Sequence, residues 1–248
     1  MKHKRSTPSP RKQPSAEQRA AQQINRLLER LATICISDAL APVDLTAQQQ
    51  QHFLQYVRLL LEWNQRIDLI SPTDETRIAE RHLLESLSLL SVWRFNLGAS
   101  VLDLGSGAGL PGVPLKIMRP DLSMTLLEAK HKKALFLKAA IRTLQLERCR
   151  VIEGRAERVA LNSDEKFSVV VARAVAALEK MWRWSQPLLQ PDGVLLAMKG
   201  GDVEKEKQAL LESTPEIQCR VLKYPVGWPI DPSRCVVAVT RTPKAWES

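Results

Sequence analysis

The segment that decides the fold is "VLDLGSGAGLPGVPLKI", which runs from Val101 to Ile117. A short apolar run opens the segment, and four glycines follow within eight positions, at 105, 107, 109 and 112. An apolar run that leads directly into a glycine-rich turn and then a helix is typical of the first unit of a ligand-binding α/β sheet. Because such sheets bind ligands beyond the carboxyl ends of their strands, the turn predicts where the functional site begins.

Further apolar runs follow the glycine turn, with helical stretches between most of them. These runs are "MTLLEA", "CRVIEG", "FSVVVARA", "GVLLAMKG", "IQCRVLKY" and "CVVAVTR". Apolar strands that alternate with helices indicate a mostly parallel, doubly wound sheet with both faces covered. The last two runs are joined by "YPVGWPIDPS", which favours a hairpin, so an antiparallel strand is expected at the sheet edge. The predicted fold class is α/β and Rossmann-like.

The chain before residue 96 has a different pattern. Residues 1–14 are basic and polar without periodicity, and we interpret them as a disordered tail. Residues 15–95 are a predicted helical region. Its apolar residues recur at helical spacing over 15–36, after a cap at Thr46, and along "ETRIAERHLLESLSLL". The α/β domain is assigned to residues 96–248.

Composition limits the classes of protein that the chain can represent. The 248 residues carry a formal net charge of +9, which favours a nucleic-acid partner modestly. The four cysteines form no CxxC pair and have no histidine at ligand spacing, so neither a metal site nor a disulfide framework is expected. No apolar stretch approaches the roughly 20 residues that cross a bilayer, and no apolar signal segment is present. These features predict a cytoplasmic protein without a membrane partner.

The glycine turn can be interpreted in two phases. From Gly107 it spells the GxGxxG dinucleotide fingerprint, which would indicate NAD. From Gly105, where the strand ends, the sixth position is Leu110, so the in-phase fingerprint fails. The pattern Asp-x-Gly-x-Gly-x-Gly, which begins at Asp103, instead favours S-adenosylmethionine, whose amino-acid part would face the loop amides. Glu128 ends the second strand and can accept the ribose hydroxyls of either cofactor.

The continuation of this segment resembles a single family. "DLGSGAGLPGVPLKI", above all its Leu-Pro-Gly-Val-Pro-Leu part, resembles the loop of the RsmG (GidB) family, bacterial 16S rRNA guanine-N7 methyltransferases. The segments "RHLLESL", "LLEAKHKKALFLK", "GRAERV", "VVARAVAAL" and "LLAMKG" resemble further family motifs in order, so the resemblance covers roughly 46–240. Three positions depart from the family's usual residues: Asp68 stands for Asn, Glu85 for Asp and Ala129 for Ser.

The resemblance implies a class I S-adenosylmethionine-dependent methyltransferase fold behind the helical region. It implies methylation of guanine N7 in the decoding-region loop of 16S rRNA, with 16S rRNA or the small ribosomal subunit as partner, and a monomer is expected. The cofactor contacts that it carries over are Gly105, Leu110, Ala156, Glu157 and Arg173. The reasoning from the residues themselves adds Asp103, Gly107 and Glu128.

The candidate substrate contacts are four basic residues, namely Arg81, His82, Lys132 and Lys199. His82 lies on the apolar side of a predicted helix, so its alternative role is that of a hydrogen-bonded core residue. The lysines that follow the second strand are alternatively a solvated face.

Two further sets of residues keep more than one interpretation. Arg173 ends a buried strand, and its alternative role is to pair with Asp103 or Glu157, because a buried arginine needs a partner. Trp182 and Trp184 are interpreted as filler of the core and of an interface, with stacking on bases as the alternative role.

The predicted chemistry needs no catalytic base, because guanine N7 carries a lone pair and no proton. Catalysis would depend on holding N7 in line with the methyl group. Three alternatives stay open: a methyltransferase of the same fold that acts on a small molecule or protein, a non-enzymatic RNA-binding protein, and an NAD oxidoreductase. Activity without RNA would indicate the first, absence of cofactor binding the second, and nicotinamide binding the third.

Overall fold

The structure is a computed structural model that describes residues 14–32, 45–162 and 164–243. Apart from Pro14, the predicted basic tail lies outside the described residues, as does the end of the first predicted helix beyond residue 32. Within the described residues, no helix is both long and apolar enough to span a bilayer.

A seven-stranded sheet forms the centre of the molecule. Its strands are β1 (Ser100–Leu104), β2 (Ser123–Glu128), β3 (Cys149–Glu153), β4 (Phe167–Arg173), β5 (Leu189–Gly200), β6 (Gln218–Lys223) and β7 (Arg234–Thr240). The spatial order is β3-β2-β1-β4-β5-β7-β6. The first five strands are parallel, whereas β7 runs antiparallel to both β5 and β6. The predicted mostly parallel sheet is confirmed. The predicted hairpin, β6 and β7, forms one edge of the sheet, and the antiparallel strand β7 lies between β5 and the outermost strand β6.

The strand order places a topological switch point between β1 and β4. From β1 the chain proceeds outward through β2 and β3 on one side, and then returns to place β4 and β5 on the other. Connections that diverge in this way leave a crevice at the carboxyl ends of the two central strands. The glycine turn follows β1 directly, so it lies at this crevice.

The helices before the sheet begin at well-formed caps. The first two are α1 (Ala16–Leu31) and α2 (Ala47–Asn64). Thr46 is the N-cap that the sequence predicted, and both Ser15 and Thr46 form a capping box with the glutamine three residues later. The single helix predicted along "ETRIAERHLLESLSLL" is instead divided into a 3-10 turn (Pro72–Arg77), a π-helical turn (Ala79–Leu84), α3 (Glu85–Leu87) and α4 (Leu89–Val92). Such π turns occur frequently at functional sites.

The remaining helices cover the two faces of the sheet. They are α5 (Gly112–Met118), α6 (His131–Thr143), α7 (Ala156–Asn162), α8 (Leu178–Ser185) and α9 (Glu204–Ser213). One buried apolar cluster joins α1 and α2 to α5, α6 and one sheet face, and a second joins α8 and α9 to the other face. The helical region and the sheet therefore share a continuous core across residue 95, where the sequence places a domain boundary.

A buried tyrosine connects the helical region to the glycine turn. Tyr56 on α2 is fully buried, and its hydroxyl donates a hydrogen bond of 2.6 Å to the carbonyl oxygen of Ala108. Burial raises the pKa of Tyr56, so the hydroxyl keeps its proton and remains a donor. The first helices thus fix the position of the loop that follows β1.

Candidate active site

A cavity of about 520 Å³ opens at the switch point of the sheet. Its walls come from the segments that follow four successive parallel strands: Gly105 after β1, Ala129 after β2, Gly154 after β3 and Ala174 after β4. This volume lies within the range of about 300–1,000 Å³ that small-molecule sites occupy. The cavity lies where the sequence predicted the functional site.

The backbone of the glycine turn explains why glycines are needed in it. Gly105, Gly107 and Gly109 all have positive φ values, of 69°, 56° and 85°. A side chain is strained in this conformation, whereas glycine adopts it freely. At Gly112 the reason is packing, because a Cβ atom there would lie 2.6 Å from both Asp103 Oδ2 and Leu126 Cδ2. The turn is therefore held in a shape that only glycines permit.

The buried side chain of Asp103 stabilises the glycine turn. Its side chain is fully buried, and Oδ2 accepts a hydrogen bond of 3.0 Å from the amide of Gly112, the first residue of α5. Burial raises the pKa of Asp103 to about 7. A dinucleotide pyrophosphate would need the helix N-terminus that this carboxyl group already occupies. The geometry therefore agrees with the failure of the NAD fingerprint.

The other amides of the turn are largely engaged inside the protein. Ser106 donates to the carbonyl oxygen of Leu127 at 2.9 Å, and Gly109 and Leu110 donate to that of Ser106 at 2.7 and 3.1 Å. Leu110 is buried behind the loop, as is Asp103, and neither residue lines the cavity. The prediction that the loop amides face the cofactor stays a prediction.

Glu128 lies in the cavity wall at the end of β2, as expected. Its Oε2 accepts from the amide of Gly107 and its Oε1 from the amide of Lys130, both at 2.8 Å. Each carboxylate oxygen has a second acceptor site. The carboxylate is therefore held in place by the backbone and keeps the capacity to accept two ribose hydroxyls.

The side of the cavity beyond β3 is formed by α7 and α8. Ala156 is buried at the start of α7, and Glu157 beside it is exposed. Both residues line the cavity, so the structure brings them together with Gly105, Gly107 and Glu128.

Trp184 on α8 also lines this cavity, and the sequence analysis missed that role. The ammonium group of Lys180 lies 4.9 Å from the centre of the indole ring. The buried stripe of α8 consists of Leu178, Met181, Trp182 and Ser185. Trp182 is thus core filler as expected, whereas Trp184 lies off the stripe. A large aromatic residue outside the apolar stripe of a helix was the signal that could have identified it.

Arg173 at the end of β4 is the centre of a buried ion-pair cluster. Its Nη1 donates to Glu85 Oε2 at 3.2 Å and to the carbonyl oxygen of Arg81 at 3.1 Å. Arg234 approaches the other oxygen of Glu85 at 3.3 Å. The interpretation that Arg173 pairs with Asp103 or Glu157 was therefore wrong, since Glu85 from the helical region is the partner.

His82 belongs to the same cluster. Its Nδ1 lies 3.1 Å from Arg173 Nη2, and because a guanidinium group only donates, this nitrogen is the acceptor. Burial, and after it the charge of Arg173, lower the pKa of His82 to about 4. His82 is thus neutral at pH 7, which agrees with its alternative role as a hydrogen-bonded core residue.

The predicted substrate lysines lie apart from this cluster. Lys199 forms an ion pair of 2.8 Å with Glu206 and donates to the carbonyl oxygen of Ala176. Lys132 is exposed near the start of α6. In the same helix, the side chains of His131 and Lys138 both contact Glu153, so these two basic residues after β2 have protein partners. No group of metal-ligating side chains occurs within residues 14–32, 45–162 and 164–243.

Comparison with solved structures defines the class of protein. A mutant of MtNAS in complex with S-adenosylmethionine has a TM-score of 0.52 at 18% identity, covering 92% of this chain and 98% of that chain. An S-adenosylmethionine-dependent methyltransferase from Aquifex aeolicus has a TM-score of 0.51 at 14% identity, covering 68% and 97%. The fold is that of the class I S-adenosylmethionine-dependent methyltransferases.

Comparison of sequences identifies the family. The GidB family model, described as rRNA small subunit methyltransferase G, matches residues 49–227. Proteins named ribosomal RNA small subunit methyltransferase G are 45% identical in Thermobifida fusca, over 58% of this chain and 61% of the relative, and 36% identical in Chlorobium chlorochromatii, over 83% and 85%. The chain belongs to the GidB family, and it is a methyltransferase that uses S-adenosylmethionine. The resemblance stated from the motifs is confirmed.

Proposed function

We propose that the protein transfers the methyl group of S-adenosylmethionine to guanine N7 in the decoding-region loop of 16S rRNA. The observation that carries the proposal is the family match over residues 49–227, which includes the cavity and most of the Arg173 cluster. The small ribosomal subunit or its rRNA is the proposed partner. A monomer acting in the cytoplasm is part of the same proposal.

The cofactor is proposed to lie in the 520 Å³ cavity. Gly105 and Gly107 would allow its amino-acid part to approach the backbone closely. Glu128 would accept the ribose hydroxyls, and Ala156 and Glu157 would lie beside the adenine. The cavity walls support this arrangement, since they offer a carboxylate fixed by two amides next to an apolar surface.

Two of the predicted cofactor residues are proposed to act indirectly, and a third, Arg173, keeps a direct role. Asp103 and Leu110 are buried behind the turn, so their role is to hold its shape. Arg173 directly precedes Ala174 and Val175, which line the cavity, and it would reach the cofactor or the target base from the β4 side.

The chemistry makes modest demands on the protein. When bound, the cofactor supplies a methyl group on a positively charged sulfur; the sulfur–carbon bond breaks as the bond to N7 forms, and the positive charge passes to the guanine ring. No proton leaves N7, so no side chain has to accept one. The residues of the site act by holding the two reactants in line, a proximity effect. His82, neutral and bonded to Arg173, positions that arginine.

The predicted RNA contacts are of two kinds, exposed side chains and a side chain that already has an ion-pair partner in the protein. Arg81 and Lys132 are exposed and are retained as direct contacts. Lys199 is held by Glu206, and its proposed role is narrowed to supporting the end of β5.

The proposal is tested by incubating the protein with tritiated S-adenosylmethionine and small ribosomal subunits from a strain that lacks the modification. Chemical cleavage at 7-methylguanosine then maps the labelled base. The expected result is label at a single guanine, lost in Arg173→Ala and retained in Arg142→Ala, whose residue is exposed at the far end of α6. Absence of label on subunits and on naked rRNA, despite cofactor binding, would exclude rRNA as substrate and favour a small-molecule or protein acceptor.

A further inference from the structure

A second cavity, of about 320 Å³, lies beside the Arg173 cluster. Four arginines from three separate parts of the chain line it, and we call it the arginine cleft: Arg30 on α1, Arg77 and Arg81 on the helical turns, and Arg234 at the start of β7. Three carboxylates, Glu80, Glu85 and Asp231, also line the cleft, so four positive and three negative groups leave a formal charge of +1.

Two of the three carboxylates that line the cleft have hydrogen-bond or ion-pair partners, whereas Oε2 of the third, Glu80, is buried without a hydrogen-bond partner among the described residues. Glu85 is shared between Arg173 at 3.2 Å and Arg234 at 3.3 Å. Asp231 accepts hydrogen bonds from the amide and the hydroxyl of Ser233, at 2.9 and 2.7 Å. Glu85 is therefore held by Arg173 and Arg234, and Asp231 by Ser233.

Arg77 is the arginine of the cleft with the greatest capacity for a ligand. Its side chain is exposed, and within the described part of the chain no carboxylate lies within ion-pair distance of it. Arg81 is also exposed and approaches Asp74 only at 3.6 Å, a separation at which a surface ion pair contributes little. Both guanidinium groups can therefore turn toward an anion at little cost.

The cleft and the proposed methyl-transfer site have no lining residue in common, but Arg173 connects them. Arg81 and Glu85 line the cleft, and both also contact Arg173. Arg173 in turn leads directly into Ala174 and Val175 of the cofactor cavity. A polynucleotide with one base at the cofactor would thus have its neighbouring nucleotides at the cleft.

We propose that the arginine cleft binds backbone phosphates of the RNA next to the target guanine, an inference that rests on the proposed function. Arginine suits this task because its planar fork can donate two parallel hydrogen bonds to one phosphate. Such contacts fix the register of an RNA without reading its sequence. The cleft, rather than α6, is the principal anchor, since His131 at the start of that helix and Lys138 in its middle already contact Glu153.

The test measures the affinity of unmodified 16S rRNA for the full-length protein over a range of salt concentrations. Arg77→Ala and Arg81→Ala are compared with Arg142→Ala, a matched exposed arginine outside the cleft. Each cleft variant is expected to weaken binding several-fold and to reduce the slope of log affinity against log salt by about 1. The affinity for S-adenosylhomocysteine and the slope of the control should stay at wild-type values.

The outcomes separate the inference from the proposed function. If the wild type methylates rRNA but the cleft variants keep its RNA affinity and salt slope, the cleft is not the anchor and the function stands. If the cleft variants lose S-adenosylhomocysteine affinity instead, the cleft serves the cofactor site and the inference is overturned. If the wild type binds S-adenosylhomocysteine but neither binds nor labels rRNA, both the function and the inference are wrong.

Discussion

The proposed cofactor cavity and the arginine cleft are connected by Arg173 but are held in shape by different kinds of contact. The floor of the cavity follows the strand ends and the glycine turn, and its carboxylate, Glu128, is fixed by two backbone amides. The cleft is formed by long charged side chains that hold one another, with Glu85 between Arg173 and Arg234. A site fixed by backbone is preorganised for one ligand, whereas a site fixed by ion pairs can rearrange around a larger one.

Removal of Glu85 should have the largest effect and should disrupt the cleft side. Glu85→Ala leaves Arg173 buried without its carboxylate, which is expected to lower the free energy of unfolding by about 3–5 kcal/mol. Urea denaturation measures this change. Glu85→Asp keeps the charge and should lose much less. Glu62→Ala removes a half-exposed i,i+4 partner of Arg58 and should cost about 0.5 kcal/mol or less. Equal losses in Glu85→Ala and Glu62→Ala would contradict the role of the cluster.

One added methyl group at Gly112 should destabilise the glycine turn beside the cavity. In Gly112→Ala the added Cβ would meet Asp103 and Leu126 at 2.6 Å, so the turn must shift, at a cost of about 1–3 kcal/mol. The control is Gly154→Ala, where the nearest atom lies at 3.4 Å and φ is ordinary. Thermal unfolding of the two variants is the measurement. A Gly112→Ala protein as stable as the control would show that the turn is not closely packed.

Two buried titratable groups, one on each side, should have opposite effects on stability as pH changes. The pKa of Asp103 is raised to about 7, so the folded state retains a proton that the unfolded state releases above pH 4, and stability is lost as pH rises from 4 to 7. The pKa of His82 is lowered to about 4, so stability is gained between pH 4 and 6.5. The two contributions largely cancel in the wild type.

The substitution Asp103→Asn should reveal this cancellation. The amide oxygen can still accept from Gly112, but the proton-binding group is gone. The variant should therefore gain about 1–2 kcal/mol relative to wild type between pH 5 and pH 7, measured by urea denaturation at each pH. His82→Asn should show the reverse trend. Parallel stability curves for the wild type and Asp103→Asn would contradict the raised pKa.

The smallest expected effect concerns Trp184. Trp184→Ala removes an aromatic wall of the cavity and should weaken S-adenosylhomocysteine binding about fivefold, or about 1 kcal/mol. Trp184→Phe keeps an aromatic ring and should retain most of the affinity. Titration calorimetry distinguishes the two. If the alanine variant binds as tightly as the wild type, the indole is filler, as the sequence first indicated.

Strands whose ends are marked by the local sequence pattern could be predicted from the sequence. The residues of β1 and the end of β2 at Glu128 agree with the structure, because an apolar run closed by a glycine or an acidic residue has few alternatives. The partner of Arg173 could not be predicted, since Glu85 lies 88 residues away in the chain. The division of the third helix was also missed, because helical spacing in the apolar residues does not distinguish an α-helix from a π turn.

The bond from Tyr56 to Ala108 has a consequence for anyone who dissects this protein into fragments. The acceptor, Ala108, belongs to the glycine turn, and the donor, Tyr56, lies 52 residues earlier on α2. A fragment that starts at β1 would contain every strand but would lack the Tyr56 hydroxyl that donates to the glycine turn. If the cofactor binds at this turn as proposed, the smallest fragment that binds it with full affinity is expected to begin before α2, and it is larger than the sheet and its own crossover helices.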